Sequence, residues 1–255
     1  VRTKSLFPST PKEHIRQLVE WMSNGVYEKE QIIAMALLCA VAGENMFLLG
    51  PPGTAKSMVA SRLKMVFKDG KSFDYLMSRF STPDEIFGPI SISRLKNDDR
   101  YERLTAGYLP EADVVFLDEI WKAGPSIQNT LLTVINEHIF HNGGQIMHTP
   151  MKVLIAASNE LPAKDEGLEA LWDRFLVRMV SNCIESDVAF FKMIKGAGGD
   201  MSELAESLYI TDELYSDWQN ESKQVGVHDS VINAIKNIRK ILAALEKEDG
   251  NQLQY

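Results

Sequence analysis

Residues 46–58 read MFLLGPPGTAKSM, and this stretch decides the fold. An apolar run, Phe47-Leu48-Leu49, enters a turn made of Gly50, Pro51, Pro52, Gly53, Thr54 and Ala55, and Lys56-Ser57 then open the helix-compatible segment MVASRLKMVF. The spacing is that of a phosphate-binding loop, G-x-x-x-x-G-K-[ST], with Ala55 where the second glycine usually stands. Such a loop aims successive backbone N–H groups at phosphate oxygens, and the following helix adds its positive N-terminal end. Lys56 is expected to be an exposed contact to the β- and γ-phosphates, and the Ser57 hydroxyl to sit on Mg²⁺. The competing account is an ordinary strand–turn–helix corner. The sequence therefore predicts binding of a nucleoside triphosphate.

Composition narrows the partners. With 255 residues, 45% hydrophobic and 24% charged, the chain has the profile of a globular protein with ample length for a buried core. A net charge of −8 and a pI near 5.2 disfavour a nucleic-acid backbone binder, which needs clustered Lys and Arg. Cys39 and Cys183 are far apart and form neither a CxxC pair nor a zinc set, so two buried thiols in a reducing, cytoplasmic compartment are expected. The longest apolar run, Met35 to Ala42, is too short to span a bilayer, and no signal-peptide core is seen. The first residue is Val1 rather than Met, so part of the natural N-terminus is expected to precede it.

Helical spacing dominates the first segment, with one stripe of Ile15, Leu18, Val19 and Met22 and a second of Ile32, Ile33, Ala36, Leu37 and Ala40. Four further strand candidates follow the loop: Ser72–Met77, Val114–Leu117, Val153–Ala157 and Phe175–Val180. Apolar strands alternating with helices predict a parallel sheet covered on both faces. The glycine-rich 195–200, KGAGGD, is the best internal boundary. Beyond it Thr211-Asp212-Glu213-Leu214 reads as a helix start, and Val231, Ile235, Ile238, Ile241, Leu242 and Leu245 make an amphipathic stripe.

Hydrolysis needs a magnesium anchor and a way to activate water. Val114-Val115-Phe116-Leu117-Asp118-Glu119 offers both at a strand end: Asp118 to hold Mg²⁺, Glu119 to orient or deprotonate the attacking water. Acidic residues at strand ends also cap the helices that follow.

The motifs and their order resemble the AAA+ ATPases. More closely, GPPGTAKS, SRFSTPDEIFGP, RLTAGYLPEADVVFLDEIWKA, NTLLTVINEHIF and LWDRFLVR resemble the MoxR family, particularly its regulatory ATPase variant A branch. The resemblance covers roughly residues 15–194 and extends more weakly beyond Thr211. It implies an α/β P-loop core over 1–194 and a helical lid, incomplete here, over 195–255. It also implies ATP with Mg²⁺, a hexameric ring, protein clients and a partner carrying a von Willebrand factor A domain. In the same way Asn159 matches the sensor-1 position, Arg174 the arginine finger that reaches a neighbouring subunit, and Val26 with Tyr27 the lining of the adenine pocket. Without the family, Asn159 is equally a turn former, Arg174 a partner for Asp173, and Val26-Tyr27 a helix approach; Arg178 is a rival finger.

Two insertions mark the clade. Residues 88–108 have Ile90, Ile92 and Arg94 alternating with polar residues and a turn at Asn97-Asp98-Asp99, which predicts extended structure. Residues 137–150 centre on Asn142-Gly143-Gly144, a hairpin signal that stands without the family. Where the family has Asn-Glu-Arg this chain has Asn136-Glu137-His138, and the sensor-2 arginine motif is not found. A nucleic-acid motor and a non-hydrolysing nucleotide switch are the alternative functions. The acidic balance argues against the first, and Lys56, Asp118, Glu119, Asn159 and Arg174 together argue against the second.

Overall fold

The computed structural model describes residues 10–163, 167–196 and 203–249. The chain enters through α1 (Pro11–Met22) and α2 (Glu30–Ala42), and β1 (Met46–Leu49) then runs into α3 (Lys56–Lys64). Next come β2 (Ser72–Leu76), the short helices α4 (Pro83–Phe87) and α5 (Ile92–Asp98), β3 (Val114–Asp118) and α6 (Pro125–Glu137). A hairpin of β4 (Ile139–Asn142) and β5 (Gln145–His148) precedes β6 (Val153–Ser158), α7 (Glu169–Trp172), β7 (Val177–Val180) and α8 (Asp187–Ile194). Helices α9 (Asp212–Gln224) and α10 (Asp229–Asp249) complete the order.

β2, β3, β6, β1 and β7 lie side by side, in that order, in one parallel sheet. The central strands have no polar alternation because both faces are covered: Val114, Val115, Phe116 and Leu117 are all buried, as is every residue of β6. Phe47, Val115, Leu117, Leu154 and Ala156 share one apolar cluster with Ile127, Leu131, Val134 and Ile135 of α6. By strand alternation the opposite face carries Met46, Leu48, Val114, Phe116 and Ile155, the side on which α2 and α3 pack. Each such Val, Leu, Ile or Phe contributes about 1.5–3 kcal/mol relative to exposure, so the site rests on a rigid platform.

The helix stripes read from the sequence are buried at Leu18, Met22, Ile32, Ile33, Ala36, Leu37 and Ala40, while Ile15 is exposed. Gly143 and Gly144, both at positive φ, close the expected hairpin with Asn142 paired to Gln145. Two expectations are corrected. The 88–108 insert is helical at its centre rather than extended: Ser91 accepts from Arg94 N–H as N-cap, Arg94 pairs with Asp98 at 3.2 Å, and only a bridge between Ile90 and Arg103 is strand-like. The last strand begins at Val177, because Trp172-Asp173-Arg174-Phe175 complete the turn ending α7 and Phe175 drops into the core.

The chain divides into two compact units, Val1–Tyr215 and Ser216–Tyr255, with the division inside α9. Residues 197–200 of the expected boundary KGAGGD lie outside the described residues. In the second unit, α10 carries its apolar stripe on the surface: Val231, Ile235, Ile238, Ile241 and Leu245 are 43–59% exposed. No helix among the described residues is long and apolar enough to cross a membrane.

Candidate nucleotide site

All five parallel strands finish at one edge of the sheet, at Leu49, Leu76, Asp118, Ser158 and Val180. Ligands of open α/β sheets bind outside this carboxyl edge, where the chain leaves in different directions. The loop after β1 is pinned there by its neighbours. Gly50 N–H donates to the Ser158 carbonyl at 3.0 Å, and Ser181 N–H donates to the Leu49 carbonyl at 2.7 Å. The Ser181 hydroxyl donates to the Thr54 carbonyl (2.8 Å), and the Thr54 hydroxyl to the Pro51 carbonyl (2.9 Å). A Cβ on Gly50 would fall 2.3 Å from the Ser181 carbonyl oxygen, so only glycine lets β7 close against the loop.

Gly53 turns the loop at φ +79°, with open space where a Cβ would stand. Ala55 adopts φ 65°, ψ 19°, the left-handed conformation that explains why glycine is usual at this position. Lys56 is not the exposed side chain expected. It is 8% exposed, and its ammonium donates to the carbonyls of Gly50 and, at 3.1 Å, Pro51. The carbonyls inside the loop curl take the cation in, which a reading by residue type does not foresee.

A cavity of about 620 Å³ opens over this loop. Pro52, Gly53, Thr54, Ala55, Lys56 and Ser57 form its floor, Val26 and Tyr27 stand in one wall, and Asp118 reaches it from the end of β3. Ser57 and Asp118 also line a neighbouring cavity of about 550 Å³ together with Asp74, whose carboxyl is raised by burial and eased back by Lys64. A hydroxyl and a carboxylate at one junction form a hard-oxygen donor set of the kind Mg²⁺ takes alongside phosphate.

Three candidates do not line this cavity. Glu119 sits in the left-handed region (φ 54°) as β3 gives way to a short 3₁₀ turn, and its Oε2 lies buried without a hydrogen bond, 3.3 Å from Lys122 Nζ. Asn159 is exposed and directly follows Ser158, the residue that anchors Gly50, so it shares the sheet edge with Asp118. Arg174 is exposed at the end of α7, and among the described residues its side chain has no hydrogen bond or ion pair, with Asp173 or any other residue. Arg178 behaves differently. It donates from Nε to the Phe175 carbonyl (2.9 Å) and from Nη2 to the Trp172 carbonyl (3.0 Å), and it lies 4.0 Å over the Trp172 ring.

The cavity also includes residues that the sequence left unassigned: Lys29, Met58, Asn182, Cys183, Ile184, Phe190 and Met193. Only Ser186-Asp187, a readable helix cap before α8, hinted at a structured wall after β7.

Fold and loop together define a P-loop fold of the AAA+ class. A solved structure from Cytophaga hutchinsonii, described as that of a candidate ATPase, superposes with a TM-score of 0.70 over 91% of this chain and 69% of its own, at 17% identity, which speaks for the fold alone. The profile of the MoxR domain in the MoxR–vWA–beta-propeller ternary systems matches residues 13–216, and the chain belongs to that family. Similar sequences include the uncharacterized protein MJ0812 of Methanocaldococcus jannaschii, 39% identical over 92% of this chain and 60% of that protein. Chaperone MoxR1 of Mycobacterium tuberculosis is 28% identical over 59% of this chain and 40% of that protein. The chain spans roughly 40–60% of the length of these relatives.

Proposed function

We propose that the chain is a Mg²⁺-dependent, MoxR-type ATPase that works in the cytoplasm as a ring, a hexamer by resemblance, to remodel protein clients. The observation that carries the reading is one cavity lined by the loop residues Pro52 to Ser57 together with Asp118. The residues present fit the ligand: Gly53 leaves open space for a polyphosphate, and Ser57 and Asp118 supply oxygen donors for its cation. Mg²⁺, when bound, offsets charge on the phosphates.

The chain's own groups do the rest. Lys56 exchanges its carbonyl partners for phosphate oxygens, and the backbone of 53–57 donates N–H groups. Glu119, whose buried Oε2 has no hydrogen bond, orients and deprotonates water. Asn159 contacts the γ-phosphate side of the site, and Arg174, free to reach outward, completes the site of an adjacent subunit. Val26 and Tyr27 border the base. The description of the matched family supports a partner with a vWA domain, and the name of the mycobacterial relative supports a chaperone-like role. Placement in the regulatory ATPase variant A branch rests on the motif likeness of the sequence.

Glu119→Gln tests the reading. The amide keeps the shape but cannot take a proton, so ATP binding stays within about twofold while turnover falls by about 10²-fold or more. Turnover near wild type removes Glu119 from the mechanism. Mass measurement with and without ATP and Mg²⁺ tests the ring.

A further inference from the structure

Helix α8 supplies Phe190 and Met193 to the wall of the nucleotide cavity, yet none of its residues is buried. Its place is therefore not set by burying an apolar face, the usual means by which a helix is held. What holds its start is polar. The Glu28 carboxylate accepts Glu185 N–H on Oε2 at 2.8 Å and Ser186 N–H on Oε1 at 2.9 Å, satisfying two donors that precede the first turn. These N–H groups hold the Glu28 carboxyl below its ordinary range.

The next residue makes a second tie. Lys29, 4% exposed, donates from Nζ to the Asn182 carbonyl at 2.8 Å, and Asn182 itself lines the cavity. Glu28 holds φ 59°, a conformation that disfavours side chains other than Asn or Asp and marks a residue fixed by its surroundings. Its neighbours Val26 and Tyr27 line the same cavity. Two consecutive residues thus tie the part of the lining at 26–27 to the part at 182–193.

We propose that Glu28 and Lys29 are positioning residues, a latch that sets the width of the base compartment and so the affinity for the nucleoside part of the ligand. The proposal rests on the nucleotide-site reading given above. Among the described residues neither side chain hydrogen-bonds to the phosphate loop, so the latch acts on the base and sugar and leaves polyphosphate binding alone.

Two probes separate these contributions: ATP, and inorganic tripolyphosphate, which has no base. For Glu28→Ala, loss of two charge-assisted hydrogen bonds at the α8 start weakens ATP binding about tenfold or more. Tripolyphosphate binding stays within about twofold, and KM for ATP rises while kcat changes little. Glu28→Gln keeps one acceptor oxygen and falls between. Thermal melts monitored by circular dichroism check that both variants fold; Glu28 is exposed, so they should. Wild-type ATP binding with an unmoved Glu28→Ala affinity overturns the latch alone, and so does equal weakening of both probes. A wild-type chain that binds neither probe overturns the nucleotide-site reading as well.

Discussion

The indole Nε1 of Trp121 donates to the carbonyl oxygen of Glu160 at 3.0 Å. Trp121 lies two residues past Glu119, and Glu160 directly follows Asn159, so one hydrogen bond couples the segments that carry two of the candidate catalytic side chains. The ring is seated on Phe47 (5.1 Å), Trp172 (5.8 Å) and Phe175 (6.3 Å), which brings the end of α7 into the same aromatic group. Trp121→Phe keeps an aromatic ring in the group, at some loss of packing volume, and deletes the donor. We expect ATP affinity within about twofold of wild type and turnover down by about tenfold, since small displacements of reacting groups are costly. Equal turnover in the folded variant would show that the coupling has no part in hydrolysis.

Arg174 and Arg178 should fail in opposite ways. Arg178→Ala removes two hydrogen bonds to carbonyls and a stacked cation, so it lowers unfolding free energy by about 1–3 kcal/mol in urea titration. Arg174→Ala should leave stability within about 0.5 kcal/mol, as for other surface changes, and reduce hydrolysis by about 10³-fold or more. Mixing it with Lys56→Ala chains should restore part of the rate, because each supplies what the other lacks. No recovery in demonstrated mixed assemblies would place Arg174 outside any shared site.

Within the loop, two small substitutions have opposite signs. Gly50→Ala drives a methyl onto the Ser181 backbone, so we expect a loss of about 1–3 kcal/mol and weakened nucleotide binding. Ala55→Gly relieves the left-handed strain of about 1–2 kcal/mol and adds about 0.5–1 kcal/mol of chain entropy cost. The net is a gain of about 0.5 kcal/mol, read from the same urea titration. A destabilised Ala55→Gly chain would contradict the left-handed geometry.

Thiol labelling reports on the cavity directly. Cys183 is not the buried thiol the sequence suggests: it is exposed and lines the cavity, whereas Cys39 is buried in α2 with its thiol pushed up to about 11 by burial. At pH 8 a disulfide reagent should titrate one thiol per native chain, and ATP with Mg²⁺ should slow that reaction at least about fivefold by occupancy. Unchanged labelling at saturating ATP would place the nucleotide elsewhere.

The phosphate loop was legible because its chemistry is written in contiguous spacing, and the hairpin because Asn142-Gly143-Gly144 supplies positive φ where the turn demands it. The 88–108 insert misled because Ile90, Ile92 and Arg94 fit a period of two over a window too short to exclude a helix. No core decides between them there, since Ile92 is 68% exposed. The burial of Lys56 was hidden because its partners are backbone carbonyls, which every residue carries. The α8 wall was hidden for the opposite reason: it buries nothing, so no apolar periodicity announced it, and its anchor at Glu28 lies more than 150 positions away in the chain.

The surface stripe of α10 changes how any dependence of rate on concentration is to be interpreted. Five aliphatic side chains from Val231 to Leu245 face water, so clumping through this helix and ordered assembly around nucleotide are separate routes to larger particles. Salting-out anions such as sulfate strengthen the first by favouring apolar burial, whereas ATP loading strengthens the second. Light scattering across a sulfate series, with and without nucleotide, therefore separates stickiness from architecture before a single turnover is counted.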